Sequence, residues 1–222
     1  MVADITGQVR KAYRDARGAR PRPGLRGRGD GDAMKPHEDH RAHAGGGVRV
    51  RIVTVSSSRF AKKDAGEEYT DEGGDTAVAE VRRAGHRVRG RDLISDDPKM
   101  IRHAVEDFLS GEDDVLLFTG GTGVSPRDVT IESVRPYFEK ELEGFGELLR
   151  RLSYDEIGAA GVLSRAAAGV VQGRLVACMP GSPGAVKTCL GAFAGEFSHV
   201  VFIAGGQGRA DGRRRRRSVH GG

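Results

Sequence analysis

Two short loops and three aspartates hold the residue types and spacing that can do chemistry. Thr119-Gly120-Gly121-Thr122-Gly123 follows an apolar run, Pro180-Gly181-Ser182-Pro183 follows another, and Asp96, Asp97 and Asp128 stand near the starts of expected helices. Glycines let a ligand approach backbone N–H groups closely, and a helix N-terminus favours negative charge, so both loops suit an anion. The first loop is not a Walker loop, because no Gly-Lys-Ser/Thr follows it. It is not a dinucleotide fingerprint either, since Pro126 stands where the third glycine belongs. A phosphate-bearing ligand of another kind remains.

Asp128 has two readings: an N-cap, worth about 1 kcal/mol, or a Mg²⁺ ligand, because hard cations on phosphates are held by one or two carboxylates. The same alternatives apply to Asp96 and Asp97. Two carboxylates at two strand ends would face one crevice. Ser182 is read as a hydrogen-bond donor, for no histidine is placed to activate it. Arg127 and Arg165 fit either phosphate contacts or solvated faces. His37, His40 and His43 have tempting spacing but sit in a polar tail without a Cys or carboxylate frame, so they are read as solvated.

The elements that must position these residues read as a βα alternation. Val48–Val55 passes from alternating to continuous apolar residues, as in a strand entering a sheet buried on both faces. A helix is expected from Asp75 or Thr76 to Ala84, with Gly85 as its stop. His86–Asp92 carries a weaker strand signal. Pro98 opens a helix through Leu109, ended by Gly111. Val115–Thr119 is a buried strand, and a further helix should follow Asp128. Val170–Met179 reads as two strands turning at Gln172-Gly173, and a helix starts near Ala185. His199–Ile203 fits a last strand or a helix end. The expected fold is α/β, a mostly parallel sheet with helices on both faces. Ligands in such sheets bind where strand C-termini turn into helices.

Four co-linear motifs resemble the MoaB/Mog family of molybdenum-cofactor biosynthesis proteins. They are L-L-F-T-G-G-T-G-V-S-P-R-D-V-T from Leu116, G-F-G-E-L-L-R-R-L-S-Y-D-E-I-G from Gly144, S-R-A-A-A-G-V from Ser164 and M-P-G-S-P-G-A from Met179. T-V-S-S-S-R from Thr54 fits as well, and the likeness spans residues 48–204. The resemblance implies a three-layer α/β domain that forms trimers or hexamers and binds molybdopterin. It implies transfer of AMP from Mg-ATP to the terminal phosphate of molybdopterin, releasing pyrophosphate. The family's two essential aspartates match Asp96 and Asp128, with Asp97 leaving the first uncertain by one residue. Both are expected to be catalytic and to hold Mg²⁺. The expected substrate-binding set is Thr119, Gly120, Gly121, Thr122 and Gly123, then Ser125, Glu147 and Pro180 to Pro183. A downstream molybdate-insertion protein is the expected partner. The alternative is a catalytically silent molybdopterin carrier.

Composition sets the remaining expectations. The 222 residues suit one domain with tails. Residues 1–44 hold ten Lys/Arg and six Asp/Glu, and 205–222 hold six arginines and one aspartate. Of the totals of 36 and 31, this leaves 20 basic and 24 acidic residues between them. The net charge of +5 therefore comes from the tails, which are read as a disordered leader (1–47) and a disordered Arg-rich tail (205–222). Arg213–Arg217 fits a solvated tail or weak polyanion binding. Cys178 and Cys189, without CxxC spacing, read as buried thiols of a reducing compartment. No apolar stretch approaches the ~20 residues of a membrane span, so a soluble, cytoplasmic chain is expected.

Overall fold

A computed structural model describes residues 47–206. The expectations for the basic leader, the three tail histidines and the Arg-rich terminus fall almost wholly outside those residues. In chain order the elements are β1 (Arg49–Val55), α1 (Ser57–Asp64), α2 (Glu72–Arg83), β2 (Arg87–Ile94), α3 (Pro98–Ser110), β3 (Val115–Thr119) and α4 (Thr130–Val134). They continue with β4 (Lys140–Glu141), α5 (Glu143–Ile157), β5 (Ala167–Val171), β6 (Arg174–Met179), α6 (Pro183–Phe193) and α7 (Phe197–Ala204). The sheet order is β2-β1-β3-β6-β5-β4. The first four strands are parallel, and β5 and β4 join antiparallel.

Alternation along the central strands divides the core into two layers. Val50, Ile52, Val115, Leu117, Leu175, Ala177 and Met179 face α2, α5, α6 and α7. Val53, Val55, Leu116, Phe118, Val176 and Cys178 face α3 and α4, against Ile101, Val105 and Phe108. The continuous apolar run of β3 is thus a strand covered on both sides. Cys178 and Cys189 lie in opposite layers, so both are free thiols, as expected. The β5–β6 hairpin turns at Gln172 (φ 49°) and Gly173 (φ 75°), the left-handed pair that a two-residue turn demands.

Several boundaries differ from the sequence reading. Helix α2 begins at Glu72, not Asp75 or Thr76, because the Asp71 carboxylate caps the Gly74 N–H. The two glycines of its first turn hide it from propensity. Helices α1 and α5 carried no expectation, and α4 has only five residues, with Val129 before it and no side-chain cap. The His199–Ile203 alternative resolves as helix. With the Ala194–Glu196 turn between them, α6 and α7 form a continuous 22-residue stretch, Pro183–Ala204, in which an 18-residue window reaches a mean hydropathy of 1.2. That exceeds the expectation that no apolar stretch approaches a membrane span. Val186, Cys189, Leu190, Ala194 and Phe197 of this stretch belong to the core of the sheet.

Candidate active site

The parallel strands β1, β2, β3 and β6 all run toward one crest, where their C-termini hand over to Ser56, Ser95-Asp96, Gly120 and Pro180. The first glycine loop turns there in left-handed backbone, with φ of 98° at Gly120 and 63° at Gly121. Its outer bonds are fixed. Gly120 donates its N–H to Met179 O at 2.9 Å. Thr130 donates its hydroxyl to Gly120 O at 3.0 Å and its N–H to Gly121 O at 2.9 Å. The N–H groups of Gly121, Thr122 and Gly123 find no acceptor among the described residues, so they remain available to an anion.

These residues line a cleft of about 530 Å³, a size suited to a small-molecule ligand. Gly121, Thr122, Gly123 and Asp128 form one wall, and Pro180, Gly181 and Ser182 with the start of α6 form the other. Ser182 is the N-cap position of α6, yet its hydroxyl caps no backbone N–H. It is exposed toward the cleft and free to bond a ligand. Pro183 supplies the first helical residue, where its missing N–H costs nothing; it stands beside the cleft lining.

The carboxylates divide their oxygens in the same way. Asp128 Oδ2 accepts the Ser125 N–H at 3.0 Å, while the Asp128 N–H donates to Ser125 O at 2.9 Å. Asp128 therefore closes its own turn and does not cap α4. Asp96 Oδ2 accepts the Ser57 N–H at 3.0 Å at the start of α1. The Oδ1 atoms of both have no donor among the described residues. A Cβ placed on Gly121 would lie 3.1 Å from Asp96 Oδ1, and one on Gly123 would lie 2.7 Å from Asp128 Oδ2. Both carboxylates therefore pack against one glycine loop, Asp128 inside the cleft and Asp96 on the β1–β2 side. Asp97 instead caps α3, its side chain accepting the Lys99 N–H at 2.8 Å. No group of three or more metal-ligating side chains occurs among the described residues.

Other expected residues have supporting or distant places. Thr119 is fully buried and donates to Thr54 Oγ1 at 3.4 Å. Ser125 is exposed and serves Asp128, and the Arg127 N–H leans on Ser125 Oγ at 3.3 Å. Glu147 is exposed on α5 and does not line the cleft. Helix α5 instead contributes Ser153, Glu156 and Ile157, followed by Ala160 and Leu163. Sequence reasoning missed these five, although the motif beginning at Gly144 runs through the first three. Arg165, whose sequence fits either of two roles, lines the cleft and donates to Gly123 O at 2.8 Å. Its second nitrogen pairs with Glu132. Burial alone would raise the Glu132 carboxyl, but the Arg165 hydrogen bond and charge hold it below the usual range.

Residues 51–208 match the family model for a probable molybdopterin binding domain. The chain belongs to the molybdopterin-binding domain family. Among its relatives, molybdenum cofactor biosynthesis protein B of Bacillus subtilis is 38% identical over 167 residues, covering 74% of this chain and 94% of that protein. Molybdopterin adenylyltransferase of Pyrococcus furiosus is 37% identical, covering 74% and 95%. Among solved structures of the family, a molybdenum cofactor biosynthesis protein B aligns with a TM-score of 0.65 at 40% identity, covering 71% of this chain and 96% of that one. The tungsten cofactor synthesizing protein MoaB from Pyrococcus furiosus aligns with a TM-score of 0.64 at 36% identity, covering 72% and 98%. The three-layer α/β architecture is that of the molybdopterin-binding domain family.

Proposed function

We propose that the chain is a molybdopterin adenylyltransferase. The observation that carries the reading is the pair Asp96 and Asp128, set against one glycine loop with an unengaged Oδ1 each. A relative named molybdopterin adenylyltransferase, at 37% identity, and one named probable molybdopterin adenylyltransferase, at 36%, support it.

In this reading, molybdopterin occupies the cleft with its terminal phosphate on the Gly121–Gly123 amides and Ser182. The nucleotide phosphates lie toward Asp96 and the start of α1. An oxygen of the molybdopterin phosphate attacks the α-phosphorus of ATP. That P–O bond forms as the bond from the α-phosphorus to the bridging oxygen breaks, and pyrophosphate leaves with the electron pair. A phosphate monoester is already anionic near neutral pH, so no strong general base is required. Catalysis lies in positioning two anions and neutralising the charge that develops on the leaving group. Two carboxylates with free oxygens fit Mg²⁺, which prefers one or two carboxylates plus substrate phosphates. Asp96 and Asp128 would hold it, and when bound it supplies electrostatic stabilisation of the phosphoryl oxygens. Arg165 fixes the carbonyl side of the loop so that its amides face the ligand.

The unit carrying this activity is residues 48–204. A trimer or hexamer, and hand-over of the product to a molybdate-insertion protein, complete the reading. The activity test is Mg-dependent formation of adenylyl-molybdopterin from ATP and molybdopterin. Tight molybdopterin binding with no product would make the chain a carrier instead.

A further inference from the structure

A buried carboxylate outside the cleft ties both of its walls to one point. Asp71 is 6% exposed. Its Oδ2 accepts Thr54 Oγ1–H at 2.6 Å and Arg91 Nη2–H at 2.7 Å, and its Oδ1 accepts the Gly74 N–H at 3.1 Å. Arg91 Nη2 also donates to the Asp71 carbonyl at 2.9 Å, and its Nη1 pairs with Asp75. Such a buried charge is tolerated only when paired and hydrogen-bonded. Burial alone would raise this carboxyl, yet Arg91, Thr54 and Gly74 hold it below the usual range, so it is ionised.

From Asp71 two routes lead to the cleft. Along the first, Thr54 spends its proton on Asp71, which obliges Thr119 to donate to Thr54 Oγ1. Thr54 and Thr119 are register partners on β1 and β3, and Thr119 directly precedes the Gly120 turn. Along the second, Asp71 caps α2, whose Gly73 packs on the carbonyl of Gly181: a Cβ there would lie 2.2 Å from that oxygen. Gly181 in turn presses on Gly120, with only 3.0 Å between a Cβ on one and the Cα of the other. Gly74 supplies the room where the polar groups meet. A Cβ on it would lie 2.3 Å from Asp71 Oδ2, 2.7 Å from Arg91 Nη2 and 2.8 Å from Thr54 Oγ1.

We propose that Asp71 is a positioning residue that sets the separation of the Gly120–Gly123 and Pro180–Ser182 walls through Thr54–Thr119 and Gly73–Gly181. The proposal rests on the reading that molybdopterin occupies this cleft. A purely structural aspartate would stabilise the fold without coordinating two distant loops. A positioning one makes ligand affinity depend on each link separately.

The test measures molybdopterin affinity and melting temperature for the full chain with Asp71→Asn, Thr54→Val and Gly74→Ala. Thr54→Val cuts the first route while leaving the Arg91 pair and the α2 cap in place. Gly74→Ala improves helix propensity but fills the meeting point. Asp114→Asn is the control, because it breaks the Arg49 pair at the opposite ends of the strands. The expected result is roughly tenfold or greater loss of affinity for the first three, as a misplaced binding geometry produces, with the control binding like wild type whatever its melting temperature. Equal affinity of folded Thr54→Val and Gly74→Ala with wild type overturns the proposal, as does a loss of affinity that follows melting temperature alike in the control. A wild type that binds no molybdopterin refutes the functional reading instead, so the two failures are distinct.

Discussion

Asp96 Oδ1 lies against Gly121, 3.1 Å from the point where a side chain would begin, with Thr130 Oγ1 only 2.3 Å from that same point. The glycine is therefore required twice, once by its left-handed φ of 63° and once by its neighbours. Its lack of a side chain is what allows a carboxylate from the β2–α3 connection to reach a loop built after β3.

Gly121→Ala is expected to destabilise the fold by about 1–3 kcal/mol, the cost of a strained backbone position. It should also lower activity beyond that loss, because the methyl group must displace either Thr130 or Asp96. Chemical denaturation alongside turnover checks both. Unchanged stability and turnover would mean that the loop relaxes freely and does not hold the two groups in register.

Acid should act on the Asp71 site. Its folded carboxyl ionises at a lower pH than the unfolded one, which lies near 3.9 for a free aspartate. The stability it contributes is therefore fully present above about pH 4 and is lost as pH falls through the folded value. Asp114 and Glu132, also held low by arginines, add to the same trend. Melting temperature measured from about pH 7 down to about pH 3 should fall at the acid end, and Asp71→Asn should flatten that fall. A variant with the wild-type slope would place the acid sensitivity elsewhere.

Both thiols should be inert in the folded chain. Burial pushes Cys189 up to about 12 and raises Cys178 as well. Thiolate is the reactive form, so labelling by an alkylating reagent near pH 8 should require unfolding. Rapid labelling under native conditions would contradict the burial of both residues.

The fold was legible where periodicity is strong. The apolar run Val115–Thr119, the Pro98 helix start and the Gln172-Gly173 turn each carry local chemistry that specifies an element. The start of α2 is misread because Gly73 and Gly74 in its first turn lower its helix propensity, although the Asp71 cap is a local bond to the Gly74 N–H. The ambiguity between Asp96 and Asp97 had a different origin. Pro98 fixes where α3 begins, but only the tertiary position of Ser57 and Gly121 shows which aspartate turns to the crest. The cleft contributions of Ser153, Glu156 and Ile157 were hidden because α5 itself goes unread: it starts without a side-chain cap and carries Gly144 and Gly146 in its first turn.

The most direct measurement is Mg-dependent formation of adenylyl-molybdopterin by wild type, Asp96→Ala and Asp128→Ala. Wild type should form product, and either variant at least about a hundredfold less, the scale of losing several kcal/mol of charge stabilisation, with molybdopterin still bound by both. Full AMP transfer by a folded Asp128→Ala chain would contradict the catalytic role of the carboxylate pair.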